Sequence, residues 1–299
     1  MKPRISAVIN TLNEEKNLPF ALRSVRSWVD EIVVVDMYSD DKTADIARGF
    51  GAKVLFHERL GFADPARAFA LEQASGDWIL VLDADEVVPL PLSRALVNIA
   101  GSDSADVVRI PWLNYLLGAP LMHTNWGPKQ DSHLRFFKKR CVTATFRVHN
   151  YLHVVPGSRV LKLSFKPGLA VAHFNYVDSQ QFIEKLNRYT TIEAQQAFER
   201  GERKTAVSAL LMGGKEFVSC YIKARGFQEG WRGLYLSLFM SFYRIVATAK
   251  LQELTVLGSR ERIEADYRRE AEEILKAYGE PQSQSIRDFP VETFVDHGR

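Results

Sequence analysis

The chain has 299 residues, of which 46% are hydrophobic and 25% are charged, and its formal net charge is +3 at pH 7. That length supports one large hydrophobic core or two modest ones. A charge so close to neutral excludes nucleic acid as the main partner. The two cysteines, Cys141 and Cys220, provide neither a disulfide framework nor a CxxC motif, so a reducing cytoplasm is the expected compartment.

The first hundred residues alternate apolar runs with amphipathic stretches, which predicts a parallel sheet with helices on its faces. Each apolar run is rich in β-forming residues and is too short for a helix. The predicted strands are residues 5–10, 31–36, 52–57 and 78–82. The predicted helices run from an N-cap at Asn13 to about Trp28, from the end of the turn at 38–43, and from Pro65 to Ser75.

Acidic residues follow two of these predicted strands. Asp83, Asp85 and Glu86 come directly after residues 78–82, and Asp36 ends the second strand. Ligands of open α/β sheets bind beyond the carboxyl ends of the strands, where paired carboxylates suit Mg²⁺ or Mn²⁺. A solvated acidic turn is the alternative. The sequence has neither GxGxxG after its first strand nor a P-loop motif, so a nucleotide would have to be held by such acids instead.

The pattern changes after about residue 105. Shorter strands are predicted at residues 106–111, 134–138, 143–149 and 158–164. The connection between residues 114 and 132 is long and contains His123, Trp126 and Asp131, so we expect an acceptor-binding loop. Residues 178–277 read as helices broken near glycines 201, 213–214, 226–230 and 258. We therefore expect a catalytic domain over 1–175, a helical extension over 176–279 and a polar tail over 280–299.

Residues 231–249 are apolar, but Arg232 and Arg244 interrupt them. The longest uncharged run, residues 233–243, is shorter than the roughly 20 residues that a membrane span needs. One interpretation is a helix that packs on the catalytic domain. The other is a helix that lies on the inner face of the cell membrane and holds the protein near a lipid-linked acceptor.

The order of short motifs resembles glycosyltransferase family 2, the inverting nucleotide-sugar transferases with a GT-A fold. The matching segments are residues 8–14, 33–36, 39–43, 67–71 and 76–86, followed more loosely by 134–138, 148–150 and 172–176. The later segments resemble the branch that includes the lipopolysaccharide-core β-glucosyltransferases. The resemblance covers roughly residues 4–250, and it implies an α/β, GT-A-like fold: a mixed, mainly parallel sheet flanked by helices, with a helical C-terminal extension.

The resemblance also implies roles for individual residues. Asp36 would hydrogen-bond the base of the donor nucleotide, and Asp83 would contact the ribose or the metal. Asp85 would ligate Mg²⁺ or Mn²⁺ between the two donor phosphates, with His173 completing the metal shell. The remaining donor-binding residues would be Thr11, Asn13, Glu14 and Arg67. For His173 a core or turn histidine is the alternative, and for Arg67 a surface helix arginine.

An inverting transfer requires a base that deprotonates the acceptor hydroxyl. Related chains often carry a glutamate at the position of Asn150, and an amide cannot act as a base. Asp131, four residues before Arg135, is the first choice, and its alternative is a solvated loop acid. His149 and Glu86 are weaker candidates.

The expected function is metal-assisted transfer of a sugar, from a UDP-sugar by preference, to a hydroxyl of a glycan or lipid-linked acceptor. Two alternatives remain open. The first is a haloacid-dehalogenase-like phosphatase, in which Asp83 is the nucleophile and Asp85 the acid. The second is an inactive, transferase-like binding module, which Asn150 favours.

Overall fold

The computed structural model describes residues 2–59, 64–144 and 152–278 and confirms the expected α/β architecture. The strands are β1 Ile5–Thr11, β2 Glu31–Asp36, β3 Lys53–Phe56, β4 Trp78–Asp83, β5 Glu86–Val87, β6 Val107–Leu116, β7 Ala119–Pro120, β8 Ser132–Lys138, β9 Val142–Ala144, β10 Leu152–Val154, β11 Val160–Lys162 and β12 Val171–Tyr176. The helices are α1 Leu18–Val25, α2 Thr43–Gly49, α3 Asp64–Gln73, α4 Leu90–Ser102, α5 Ser179–Glu199, α6 Ala206–Phe217, α7 Trp231–Gln252 and α8 Arg260–Leu275.

The main sheet is mixed. Its strand order among the described residues is β3-β2-β1-β4-β8-β6-β12-β5, and β7 and β11 also pair with β6. Strands β1 to β4 are mutually parallel where they pair, whereas β8 lies antiparallel between β4 and β6. Strand β12 then runs parallel to β6, and the short strand β5 pairs antiparallel with β12. Strand β8 therefore connects the parallel half of the sheet to β6 and β12.

Strand β4 is buried on both faces, as its unbroken apolar sequence predicts. Successive side chains point to opposite faces of a strand. Ile79 and Val81 accordingly pack with Val33 in one core cluster, and Leu80 and Leu82 belong to the cluster on the other face. Helices cover both faces, so polar side chains of these strands meet solvent only at the strand ends.

The predicted N-cap at Asn13 is wrong. Helix α1 begins at Leu18, with Pro19 in its first turn, where a proline costs no hydrogen bond. Asn13 has a φ of 58°, and its side-chain oxygen accepts a hydrogen bond from the backbone N–H of Asp40. Asparagine tolerates this left-handed backbone better than most residues, and here it joins two loops rather than starting a helix.

Two further boundaries differ from expectation. Strand β6 continues to Leu116, five residues beyond the predicted end, and so includes Asn114. The predicted break at residues 213–214 is wrong, because α6 passes through it without interruption. A Cβ on Gly213 would lie 3.0 Å from the hydroxyl of Ser241 in α7, so the glycine permits close packing of these two helices. Part of the predicted strand 143–149 and the predicted tail lie outside the described residues.

The C-terminal helices pack around α7, which contacts both α5 and α6. A hydrophobic cluster joins them to the long loop after β6 and contains Leu116, Leu121, Phe182, Leu186, Cys220 and Leu236. Within the described residues, one stretch, Trp231–Leu257, is long and apolar enough to cross a membrane by length and composition. The division of the chain into domains stays a prediction.

Candidate active site

Asp36 ends β2 and connects the loops that follow β1 and β2. Its carboxylate is fully buried and accepts hydrogen bonds from the hydroxyl of Thr11 at 2.9 Å and from the N–H of Ser39 at 2.8 Å. The hydroxyl of Ser39 donates to the same carboxylate. Asp36 therefore fixes the loop geometry, and its predicted contact with the nucleotide base of the donor stays a prediction.

The loops after β1 and β2 are held together by backbone-to-side-chain hydrogen bonds. The N–H of Asn13 donates to the hydroxyl of Ser39, and the N–H of Glu14 donates to the hydroxyl of Thr43, each at 2.8 Å. In the other direction, the N–H of Asp40 donates to Asn13. The predicted donor-binding residues Thr11, Asn13 and Glu14 thus lie on one rigid rim at the carboxyl end of the sheet.

Asp83 lies between two arginines. The Nη2 atom of Arg67 is 2.5 Å from one carboxylate oxygen, and the Nη2 atom of Arg135 is 2.9 Å from the other. Burial alone would raise the pKa of Asp83, but the charges of Arg135 and Arg67 outweigh it and hold the pKa well below its usual range. Asp83 is therefore a carboxylate with a guanidinium on each oxygen. Its predicted ribose or metal contact and the predicted diphosphate contact of Arg67 stay predictions.

Glu86 is fully buried beside the same arginine. Its carboxylate lies 3.2 Å from Nη2 of Arg135 and accepts the N–H of Asp83 at 2.8 Å. Burial raises the pKa of Glu86 to about 7, with the neighbouring charge of Asp83 acting in the same direction against that of Arg135. The guanidinium of Arg135 also lies over the ring of Trp112, 4.6 Å from its centroid. Sequence reasoning missed both Arg135 and Trp112 as site residues.

Asp85 and His173 meet because β5 pairs with β12. The Nε2 atom of His173 is 3.6 Å from a carboxylate oxygen of Asp85, and the backbone N–H of Phe174 donates to the Asp85 carbonyl. Within the described part of the chain, no set of three or more potential metal-ligating side chains is assembled. The predicted metal set is incomplete because Asp83 faces the arginines, whereas Asp85 and His173 are brought together.

Asn114 fixes the tautomer of His173. Its side-chain N–H₂ donates to the carbonyl of Trp126 at 2.9 Å and to the carboxylate of Asp131 at 2.8 Å. Both partners only accept, so the amide oxygen of Asn114 must face Nδ1 of His173, 2.7 Å away. Nδ1 then carries the proton, and in the neutral ring the lone pair of Nε2 faces Asp85.

Asp131 lies at the end of the long loop, directly before β8. One carboxylate oxygen accepts from Asn114, and the other is 2.6 Å from Nε2 of His133. The side chain is 19% exposed, so solvent reaches it. A continuous series of side chains therefore links Asp131 through Asn114 and His173 to Asp85. Asn114 was missed, and the signal that points to it is a polar residue near the carboxyl end of an apolar strand.

Glu14 and Lys185 complete the surroundings of this site. Burial raises the pKa of Glu14, and the nearby negative charge of Asp85 acts in the same direction. Lys185 of α5 partly offsets that effect, donates to the carbonyl of Asn175, and lies 4.7 Å from the ring centroid of Tyr176. The C-terminal helices thus bring a cation to the site. The candidates His149 and Asn150 lie outside the described residues.

Comparison with known proteins identifies a family domain within this chain. The family model described as Glycosyl transferase family 2 matches residues 6–152. Residues 6–152 therefore form a glycosyltransferase family 2 domain. The transferase is 28% identical over 263 residues to an uncharacterized glycosyltransferase of Rickettsia bellii, covering 85% of this chain and 87% of that protein.

A second relative confirms the expected resemblance to lipopolysaccharide-core transferases. The lipopolysaccharide core biosynthesis glycosyltransferase LpsC of Rhizobium meliloti is 27% identical over 266 residues, covering 87% of the transferase and 96% of LpsC. Among solved structures, glucosyl-3-phosphoglycerate synthase from Mycobacterium tuberculosis in complex with Mn²⁺ and UDP-glucose superposes with a TM-score of 0.43. That match has 16% sequence identity and covers 68% of the transferase and 81% of the synthase.

Replacement of Arg135 by methionine is expected to destabilise the transferase strongly. The variant leaves Glu86 buried without its cation and Asp83 with Arg67 alone, and breaking a buried ion pair from one side costs about 3 kcal/mol. Urea denaturation followed by circular dichroism measures the loss. Arg159→Met is the control, because its ion pair with Asp106 is half exposed and contributes little. Equal stability of the two variants would contradict a central role for Arg135.

Proposed function

We propose that this glycosyltransferase is inverting and metal-dependent, and that it transfers a sugar from a nucleoside-diphosphate donor to a hydroxyl of a glycan or lipid-linked acceptor. UDP-sugars are the favoured donors. The observation that carries the proposal is the orientation of His173, whose Nε2 atom is directed towards the carboxylate of Asp85 by the contact of Nδ1 with Asn114.

The pair Asp85 and His173 fits a divalent cation. Their 3.6 Å separation is too long for a hydrogen bond and shorter than twice the usual metal–ligand distance of about 2.1 Å. A lone pair facing a carboxylate is unfavourable, so either a proton or a metal cation belongs between Nε2 and Asp85. Burial would lower the pKa of His173, but the carboxylates of Asp85 and Glu86 outweigh it and raise that pKa, so a bound divalent cation would replace a proton here. An oxygen and an imidazole nitrogen suit Mn²⁺ somewhat better than Mg²⁺. When bound, the metal would stabilise the charge that develops on the departing nucleoside diphosphate.

The protein's own side chains supply the rest of the reaction. The loops fixed by Asp36 bind the nucleotide, and Arg67 and Arg135 hold Asp83 as an anion beside it. Asp131 accepts the proton of the attacking acceptor hydroxyl at a carboxylate oxygen, while Asn114 and His133 hold that carboxylate in place. Its partial exposure supports this role, because an acceptor must reach it from solvent.

The acceptor class is supported by the relationship to LpsC, whose name places that protein in lipopolysaccharide core biosynthesis. A core oligosaccharide on its lipid anchor is therefore the acceptor that we propose to test first. The phosphatase alternative is disfavoured because Asp83, its required nucleophile, has a guanidinium on each oxygen. A nucleophile held in this way is poorly placed to attack a phosphoester.

Substitution of Asp85 by alanine is expected to remove metal-dependent nucleotide binding, because it deletes one of the two proposed ligands. A ligand at 100 times its Kd stabilises the native state by about 2.7 kcal/mol. Thermal unfolding is measured with UDP, GDP, TDP and CMP, each with and without Mn²⁺. The control is Asp45→Ala, whose side chain on α2 is 80% exposed. A metal-dependent shift of wild-type size in Asp85→Ala would refute the assignment.

Replacement of Asn114 by alanine is expected to weaken Mn²⁺ binding in the presence of UDP by about tenfold or more, because His173 loses the partner that fixes its tautomer. Metal-free binding of UDP is expected to stay unchanged. Isothermal titration calorimetry measures both quantities. Asn125→Ala is the control, since this amide contacts Glu216 and Ser219 instead of the site. If both variants bind Mn²⁺ like the wild type, Asn114 does not position His173.

Conversion of Asp131 to asparagine is expected to lower the transfer rate by about 10²-fold or more while leaving binding of UDP and Mn²⁺ intact, because the amide cannot take a proton. The rate is measured as UDP released from UDP-glucose with truncated-core lipopolysaccharide as acceptor. A wild-type rate in Asp131→Asn would place the base elsewhere. A wild-type protein that binds nucleotides but never transfers or hydrolyses any tested sugar donor would favour the inactive binding module.

A further inference from the structure

The turn between α6 and α7, together with the first half of α7, exposes six large apolar side chains. We call the following residues the hairpin surface: Ile222, Phe227, Trp231, Tyr235, Leu238 and Phe242. Each is between 45% and 53% exposed. An exposed apolar cluster of this size on a globular protein marks an interaction site.

The α7 part of the hairpin surface lies on one side of the helix. Trp231, Tyr235, Leu238 and Phe242 follow one another at intervals of four, three and four residues, which is the spacing of a single helical face. Other faces of α7 are buried against the protein, as Leu236 and Leu251 are. Helix α7 is therefore apolar both where it packs and where it meets solvent.

Close contacts keep α7 on the protein. Arg232 donates to the carbonyl of Leu117 at 3.0 Å, and Arg244 donates to Glu216 at 3.3 Å. A Cβ on Gly233 would lie 1.9 Å from the carbonyl oxygen of Gly226, so the start of α7 packs directly on the preceding turn. A membrane-spanning α7 would lose these contacts. The helix is better suited to present one face to a bilayer than to cross it.

The charge around the hairpin surface is strongly positive. Residues 203–250 contain eight Lys and Arg but only two acidic residues, and among the cations Arg232, Arg244 and Lys250 are themselves bonded to the protein. Both acids are turned towards the protein, since Glu216 contacts Arg244 and Glu229 accepts from the backbone of the loop after β6. The exposed cations Lys215, Lys223 and Arg225 lie in or beside the turn that carries Ile222 and Phe227.

We propose that the hairpin surface docks on an anionic lipid bilayer. Aromatic residues with polar tips, such as Trp231 and Tyr235, favour the boundary between head groups and acyl chains. Lysines and arginines beside them attract anionic head groups, each contributing separately to binding. A second copy of the chain is a less favourable partner for this surface, because a two-fold interface would bring the same cations of the two copies together.

Docking at this surface would also orient the loop that ends at Asp131, the proposed base. The N–H of Thr124 donates to the carbonyl of Ala224, and His123 contacts Glu229 at 2.9 Å. The loop attached in this way ends at Asp131. A membrane-docked hairpin would therefore hold the catalytic loop near a lipid-linked acceptor. This last consequence rests on the proposed function, but the docking itself does not.

The test is co-sedimentation of the full chain with vesicles of phosphatidylcholine alone or mixed with phosphatidylglycerol. We expect binding to the mixed vesicles that is weakened by salt, and little binding to phosphatidylcholine. The double variants Phe227→Ser/Trp231→Ser and Lys223→Glu/Arg225→Glu are each expected to weaken binding by about tenfold or more. Phe20→Ser, at an aromatic residue of α1 that is 58% exposed, is the control and is expected to bind like the wild type.

Three results would overturn the proposal. They are wild-type vesicle binding by both double variants, retention of the chain in the membrane fraction after alkaline carbonate washing, and a dimer in sedimentation velocity that Phe227→Ser/Trp231→Ser disrupts. The thermal shift with UDP and Mn²⁺ is measured on the same variants and is expected to match the wild type. That measurement separates failure of docking from misfolding and from failure of the proposed function.

Discussion

The guanidinium of Arg135 lies between two carboxylates that close the end of β4, and the layout of the site depends on this contact. Asp83 and Glu86 are three residues apart, and without a cation their charges would repel each other in a poorly solvated space. Arg135 can reach both because β8 runs antiparallel beside β4. The mixed sheet is thus tied to the site, since the inserted strand β8 carries the guanidinium that contacts both Asp83 and Glu86.

A second constraint runs across the sheet from the loop after β6 to the pair Asp85 and His173. Asn114 lies near the end of β6, where it can contact Asp131 from the following loop and His173 from the neighbouring strand β12. One amide group therefore sets the orientation of both a proposed base and a proposed metal ligand. Because Asp131 and His173 come from different parts of the sequence, their geometry is only as rigid as the strand pairing that holds them.

The difference between what could and could not be predicted follows from the range of the interactions. The short strands and the acids after them were predictable, because burial of an apolar run and its termination are local properties. The proximity of Asp85 and His173 was anticipated only through the family resemblance. Arg135 and Asn114 were missed, because a charged or amide residue in a strand acquires its role only from partners that the fold brings to it. Asn13 was misassigned for the same reason, since its side chain joins a neighbouring loop instead of capping its own helix.

The C-terminal helical region contacts the candidate site at two places, through Lys185 and through Glu229. Lys185 of α5 adds a positive charge that acts on Glu14, so the C-terminal helices contribute to the electrostatics of the candidate site. Glu229 holds the loop after β6 through three contacts, two to backbone N–H groups and one to the ring of His123. A carboxylate used in this way is lost to the outer surface, which leaves that surface apolar and basic. The same residue therefore positions the loop that ends at Asp131 and keeps its negative charge away from the surface that we propose to dock on an anionic bilayer.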